Sequence, residues 1–233
     1  VSALVYGLTD AGIDLHLAIP NYRQLFHEAE TASDDPSANY HECLGQTPNA
    51  QVHLAEDNCF YYKQSVYSGD RPFDTHCALT FQREVINHVI PNVNPDLIHC
   101  HDWTTGLIPA VASKLGIKSL FTAHNIHTET TSLEEIECKG IDGQGFWEQC
   151  CFETWPYDYD ESRCTNAVDL LATGIHSASH VNTVSPTFLT EVVQGAHQCV
   201  PPLVRRELGS KFELGRATGI VNALDLGFNP QTD

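Results

Sequence analysis

Apolar and polar positions change period most clearly between residues 95 and 127, PDLIHCHDWTTGLIPAVASKLGIKSLFTAHNIH. Leu97 to Cys100 is a short apolar run that holds β-branched Ile98 and follows Pro95, which predicts a buried strand. Thr105 to Leu115 places its apolar residues at helical spacing, Gly116 closes that helix, and Lys118 to Ala123 reads as a second strand. The whole has about the length that a right-handed parallel crossover needs. His101, Asp102 and Trp103 follow the first strand, and His124, Asn125 and His127 follow the second. Both polar clusters therefore fall at carboxyl ends of neighbouring parallel strands, the edge where open α/β sheets bind ligands. Core packing does not require polar residues at the same edge of two strands, so a shared site accounts for them better.

The same reading extends along the chain. Val1 to Ala11 predicts a helix ending at Gly12, and Ile13 to Ile19 alternates as a strand before Pro20. Residues 27 to 50 are polar with little periodicity and read as a loop without chemistry. Val52 to Lys63 predicts a hairpin turning at Asp57 and Asn58, and His76 to Ile90 places Leu79, Val85, Ile86 and Val89 on one helical face. Asn166 to Ala178 predicts a helix and His180 to Val184 a strand, with Ser185 as the cap of the next helix and Pro186 at its first position. Gly219 to Ala223 reads as a short strand. Strands alternating with helices predict an α/β fold on a parallel sheet. The acidic stretch 129 to 162 carries Phe146, Trp147, Phe152, Trp155, Tyr157 and Tyr159. It reads either as a platform on which sugar rings stack or as an inserted lid packed by its own aromatics.

Composition narrows the function. With 233 residues, 42% of them apolar and 18% charged, the chain can bury a core. A net charge of −18 speaks against nucleic acid, which needs a basic face. No apolar run approaches the roughly 18 residues of a membrane span, so a cytoplasmic protein is expected. Nine cysteines without a CxxC pair predict free thiols. His99, His101, Asp102, His124 and His127 could also supply imidazole and carboxylate ligands, which keeps a metal-dependent hydrolase as a rival. Against it, strand alternation points His99 into the apolar layer with no carboxylate in reach by sequence.

The runs HDWTTGLIPA, FTAHNI, TVSPTFLTEV and GIVNALDLGFNPQTD resemble, in order and spacing, the N-terminal domain of bacterial glycogen synthases and plant starch synthases. The resemblance implies a Rossmann-like three-layer parallel sheet, the N-terminal half of a two-domain GT-B glycosyltransferase. It implies transfer of glucose from ADP-glucose to the non-reducing end of an α-1,4-glucan such as glycogen, with retention. ADP-glucose is then a substrate, and no cofactor or metal is expected. By resemblance His124 and Asp102 belong to the catalytic site: His124 and Asn125 would hold the donor sugar, while Asp102 and Trp103 would shape the acceptor side. Asp102 is not assigned as a nucleophile. Tyr67, in SVYSGDRPF, would lie beside the cleft, and Asn222 sits in the family's NG-x-D turn, with Ala223 in place of the glycine. His127 and Thr128 depart from the family's Tyr-Gln-Gly turn. On this reading residues 1–233 form one domain, with the family's KTGGL donor loop and its C-terminal nucleotide-sugar domain lying outside the sequence. The chain alone then holds half a site, and a non-catalytic glucan-binding module is the other alternative.

Overall fold

Parallel pairing governs the main sheet. The computed structural model describes residues 2–23 and 51–222, which fall into two units, one ending at Asp70 and the other spanning Arg71–Asn222.

In the first unit, helix α1 (Ser2–Asp10) is followed by Gly12 at φ 78°, and strand β1 (His16–Pro20) pairs in parallel with β2 (Gln51–Ala55), from His16↔Gln51 to Pro20↔Ala55. The hairpin expected over Val52 to Lys63 therefore does not form. Asp57 is extended, and its carboxylate accepts the Cys59 N–H, which makes it the N-cap of α2 (Asn58–Tyr61). A tight hairpin would have needed left-handed residues at that turn. The polar stretch 27 to 50 lies outside the described residues.

In the second unit, α3 (Arg71–Glu84) runs through a π-helical turn at Val85–Val89 into α4 (Ile90–Val93), longer at both ends than expected. Asn94, left-handed at φ 52°, closes it by donating its N–H to the Ile90 carbonyl. Strand β3 (Leu97–His101), a 3-10 turn at Trp103–Thr105, α5 (Ile108–Lys114) and β4 (Lys118–Ala123) make the expected β-α-β unit. With β7 (His180–Thr183) and β8 (Ala217–Gly219) they complete a four-stranded sheet in the order β3-β4-β7-β8, every neighbouring pair parallel. β8 starts and ends earlier than the 219–223 strand expected.

Between β4 and β7 the chain forms β5 (Thr130–Thr131), α6 (Leu133–Cys138), α7 (Tyr159–Thr165), β6 (Val168–Asp169) and α8 (Leu170–Ser177). The helix expected from Asn166 starts late because Asp169 first pairs with β5 and then caps α8, accepting the Ala172 N–H at 2.8 Å. Helix α9 (Pro186–Val193) begins at the predicted Ser185 cap, and α10 (Pro202–Glu213) leads to β8.

Helix α8 is apolar nearly all round, and Leu170, Leu171, Ala172 and Ile175 are fully buried, as are Phe121 on β4 and Leu107. Each such large side chain contributes about 1.5–3 kcal/mol. Gly106 explains the end of the WTTG run: a β-carbon there would lie 1.9 Å from the Leu170 carbonyl oxygen, so only glycine lets the 3-10 turn meet α8. Gly219 plays the same part where β8 passes Pro186.

Candidate functional site

Four parallel strands share one carboxyl edge, and the sequence puts Asp102, His124, Ser185 and the segment to Asn222 just beyond it. At the tip of β3, Asp102 takes φ 56°, ψ −179°, a conformation nearly confined to glycine and costing on the order of 1–3 kcal/mol. Hydrogen bonds hold it there. Its N–H donates to the Thr122 carbonyl at 3.0 Å, and its Oδ1 accepts the His124 N–H at 2.8 Å. Burial pushes the Asp102 carboxyl up from its ordinary pKa, while the backbone N–H groups of His124 and Asn125 pull the other way.

A column of polar side chains runs inward from His124. Its Nε2 lies 3.1 Å from His101 Nδ1, the His101 ring sits 4.3 Å from that of His99, and His99 Nε2 lies 2.7 Å from Thr122 Oγ1. Thr122 Oγ1 in turn donates to Asn182 Oδ1 at 2.5 Å. His99 and His101 share a face because side chains two apart on a strand do so. Burial, with the nearby His124, lowers the pKa of His99. Burial first, then His99 and His124, pull His101 down to about 3. Both rings are therefore neutral at pH 7. The single Thr122 hydroxyl proton is given to Asn182, so His99 must donate its Nε2–H, which fixes its tautomer.

The expectation that His99 points into an apolar layer is thus corrected: its ring bonds Thr122, which bonds Asn182 in turn, the two aligned by register on β4 and β7. Neither residue was singled out from the sequence. The signal was available as polar residues at alternating positions of otherwise apolar strands.

His124 is half-buried at the mouth of this column. Asn125 is exposed and its Oδ1 accepts the His127 N–H at 2.8 Å, which shapes the turn. Trp103 is only 2% exposed and meets the His127 ring edge-on, so it braces the turn rather than standing open as a stacking surface. His127 also pairs with Glu129, as does Arg71, and Glu129 lines a cleft of about 320 Å³ with Arg71, His76, Glu135 and Lys139. Asn222 is exposed, three residues beyond β8. Tyr67 belongs to the first unit and is 55% exposed. Among the described residues, three metal-capable donor atoms come together at Cys151, His176 and Glu207, not at this edge.

In the aromatic stretch Phe146 and Phe152 are buried, and Trp147 touches Phe152 and Tyr159, the self-packed arrangement. Trp155 and Tyr157 stand 92% and 85% exposed.

An all-parallel sheet with polar groups gathered at its carboxyl edge is the layout of the Rossmann-like class, which binds nucleotides and sugars there. Within that class the chain belongs to the starch synthase catalytic domain family, whose model matches residues 1–201. A glycogen synthase of Deinococcus deserti is 31% identical over 167 residues, 70% of this chain and 34% of that protein. One of Desulfitobacterium hafniense is 30% identical over 210 residues, 81% of this chain and 42% of that protein. The catalytic domain of starch synthase IV from Arabidopsis thaliana, bound to ADP and acarbose, shares the fold at a TM-score of 0.55 and 24% identity, over 75% of this chain and 35% of that one. The chain spans 29% and 34% of the length of the two Deinococcus glycogen synthases it matches. Among the described residues no helix is long and apolar enough to cross a membrane.

Proposed function

We propose that this chain forms the acceptor-side half of a retaining glucosyltransferase that moves glucose from ADP-glucose to the non-reducing end of an α-1,4-glucan of the glycogen type. Membership of the starch synthase catalytic domain family supports it, as does the fold shared with a starch synthase that was solved with ADP and acarbose. The observation that carries it is the strained Asp102, whose carboxylate holds the His124 backbone at the ligand edge.

In such a transfer the leaving phosphate gathers charge while the sugar ring passes through an oxocarbenium-like state. His124 Nε2 is engaged by His101, which leaves Nδ1 for a sugar hydroxyl. Asn125 offers its amide N–H₂ beside it, because its oxygen is taken by the His127 N–H. Asp102 is a positioning residue, since its carboxylate is occupied by backbone N–H groups and is not set as a nucleophile. Tyr67 and Asn222 are proposed as further substrate contacts. ADP-glucose acts as a substrate, and the chemistry calls for no resident cofactor or metal. Incubating the full-length protein with ADP-glucose and glycogen should release ADP and lengthen the glucan. Failure to form either product, by a folded preparation, would overturn the reading.

A further inference from the structure

We propose that Cys151, His176 and Glu207 bind one thiophilic divalent cation, zinc by its chemistry, at a site separate from the carboxyl edge of the sheet. His176 lies in the last turn of α8, which feeds the amino end of β7, so the cluster sits towards the opposite edge. The three donor atoms lie within 4.8 Å of one another. Tetrahedral zinc, with bonds of about 2.0–2.3 Å, needs its ligands roughly 3–4 Å apart, a gap that small side-chain rotations close.

The ligands sit on fixed elements. The Cys151 N–H donates to Thr173 Oγ1 at 2.9 Å, and its carbonyl accepts the Asp169 N–H at 2.9 Å. Ser177 Oγ donates to the Gln149 carbonyl at 2.7 Å and ties the same segment to α8. Glu207, on α10, gives Oε1 to Arg206 Nε at 2.7 Å and turns Oε2 towards His176 Nδ1 at 2.8 Å. That division suits a metal-binding carboxylate, one oxygen oriented by an outer partner and the other facing the imidazole nitrogen with which it would share the ion. Cys151 and Glu207 are 4% and 8% exposed, whereas His176 opens to solvent and supplies the way in.

Arg206 interacts with both Glu207 and Cys151. An ion pair accounts for Glu207, Arg206 and His176, but it does not require a sheltered sulfur within ligand distance of the same imidazole and carboxylate. A thiolate, an imidazole and a carboxylate together select zinc over magnesium or calcium, and three protein ligands leave the fourth position to water. On binding, the thiol gives up its proton to solvent, and the imidazole proton moves to the ring nitrogen facing away from the ion.

The test is titration of the metal-free, full-length protein with Co(II), followed by Zn(II). One equivalent of Co(II) should raise a thiolate-to-cobalt charge-transfer band that Zn(II) then abolishes. Cys151→Ser should remove the band. His176→Ala, at an exposed position, should weaken binding by about a hundredfold or more while the metal-free melting temperature stays put. His124→Ala should leave the titration unchanged. A wild type without the band, a band that survives Cys151→Ser, full affinity in His176→Ala, or a site lost with His124→Ala would each overturn the proposal.

Discussion

Asp102 Oδ1 accepts the His124 N–H at 2.8 Å across the tips of two adjacent strands, while the Asp102 N–H donates to Thr122 at 3.0 Å. The two bonds clamp β3 to β4 where both strands end, and they hold Asp102 in a backbone conformation it would otherwise leave.

Asp102→Asn keeps the accepting oxygen and should change stability by less than about 1 kcal/mol. Asp102→Ala loses it, strands the N–H groups of His124 and Asn125 and keeps the strain, at a cost of about 2 kcal/mol. For a unit of this size that is a fall in Tm of roughly 6 °C by calorimetry. An alanine variant as stable as wild type would show that the carboxylate is not the brace.

Acid should weaken the fold through the histidine column. His101 has an ordinary pKa of 6.5, lowered to about 3 in the fold. Between these values the unfolded chain holds a proton that the folded chain lacks, so stability present above pH 6.5 is lost as the pH falls towards 3. The slope from this group is at most about 1.4 kcal/mol per pH unit. Denaturant melts between pH 7 and pH 5 should show this loss, and His101→Gln should flatten it. Equal slopes in the two proteins would place the acid sensitivity elsewhere.

Gly106→Ala should destabilise the chain by about 1–3 kcal/mol, because the new β-carbon would run into the Leu170 backbone rather than into a side chain that can move aside. Thermal unfolding of the variant checks this, and an unchanged melting temperature would mean that the turn and α8 separate freely.

The β-α-β unit at the centre was legible because its apolar runs have unambiguous periods and Gly116 marks the helix end; β4 falls at Lys118–Ala123 as read. The α2 turn was not, since Asp57 and Asn58 suit a tight turn and a helix cap alike, and only the long-range partner β1 decides between them. At the site, His124 and Asp102 could be placed at one edge from the strand pattern alone. The binding of one to the other depends on the φ of Asp102, which no periodicity encodes. The 2% exposure of Trp103 was not legible either, because the strand pattern places the residue at the edge without saying how its indole packs against His127.

The most direct test of the account is His124→Ala in the full-length protein, with turnover on ADP-glucose and glycogen and thermal unfolding measured on one preparation. A hydrogen bond to the reacting sugar that strengthens in the transition state is worth roughly 3 kcal/mol, so turnover should fall at least about a hundredfold while the melting temperature holds. A folded variant with full turnover would remove His124 from the site, and one whose activity falls only with its stability would make it a structural residue.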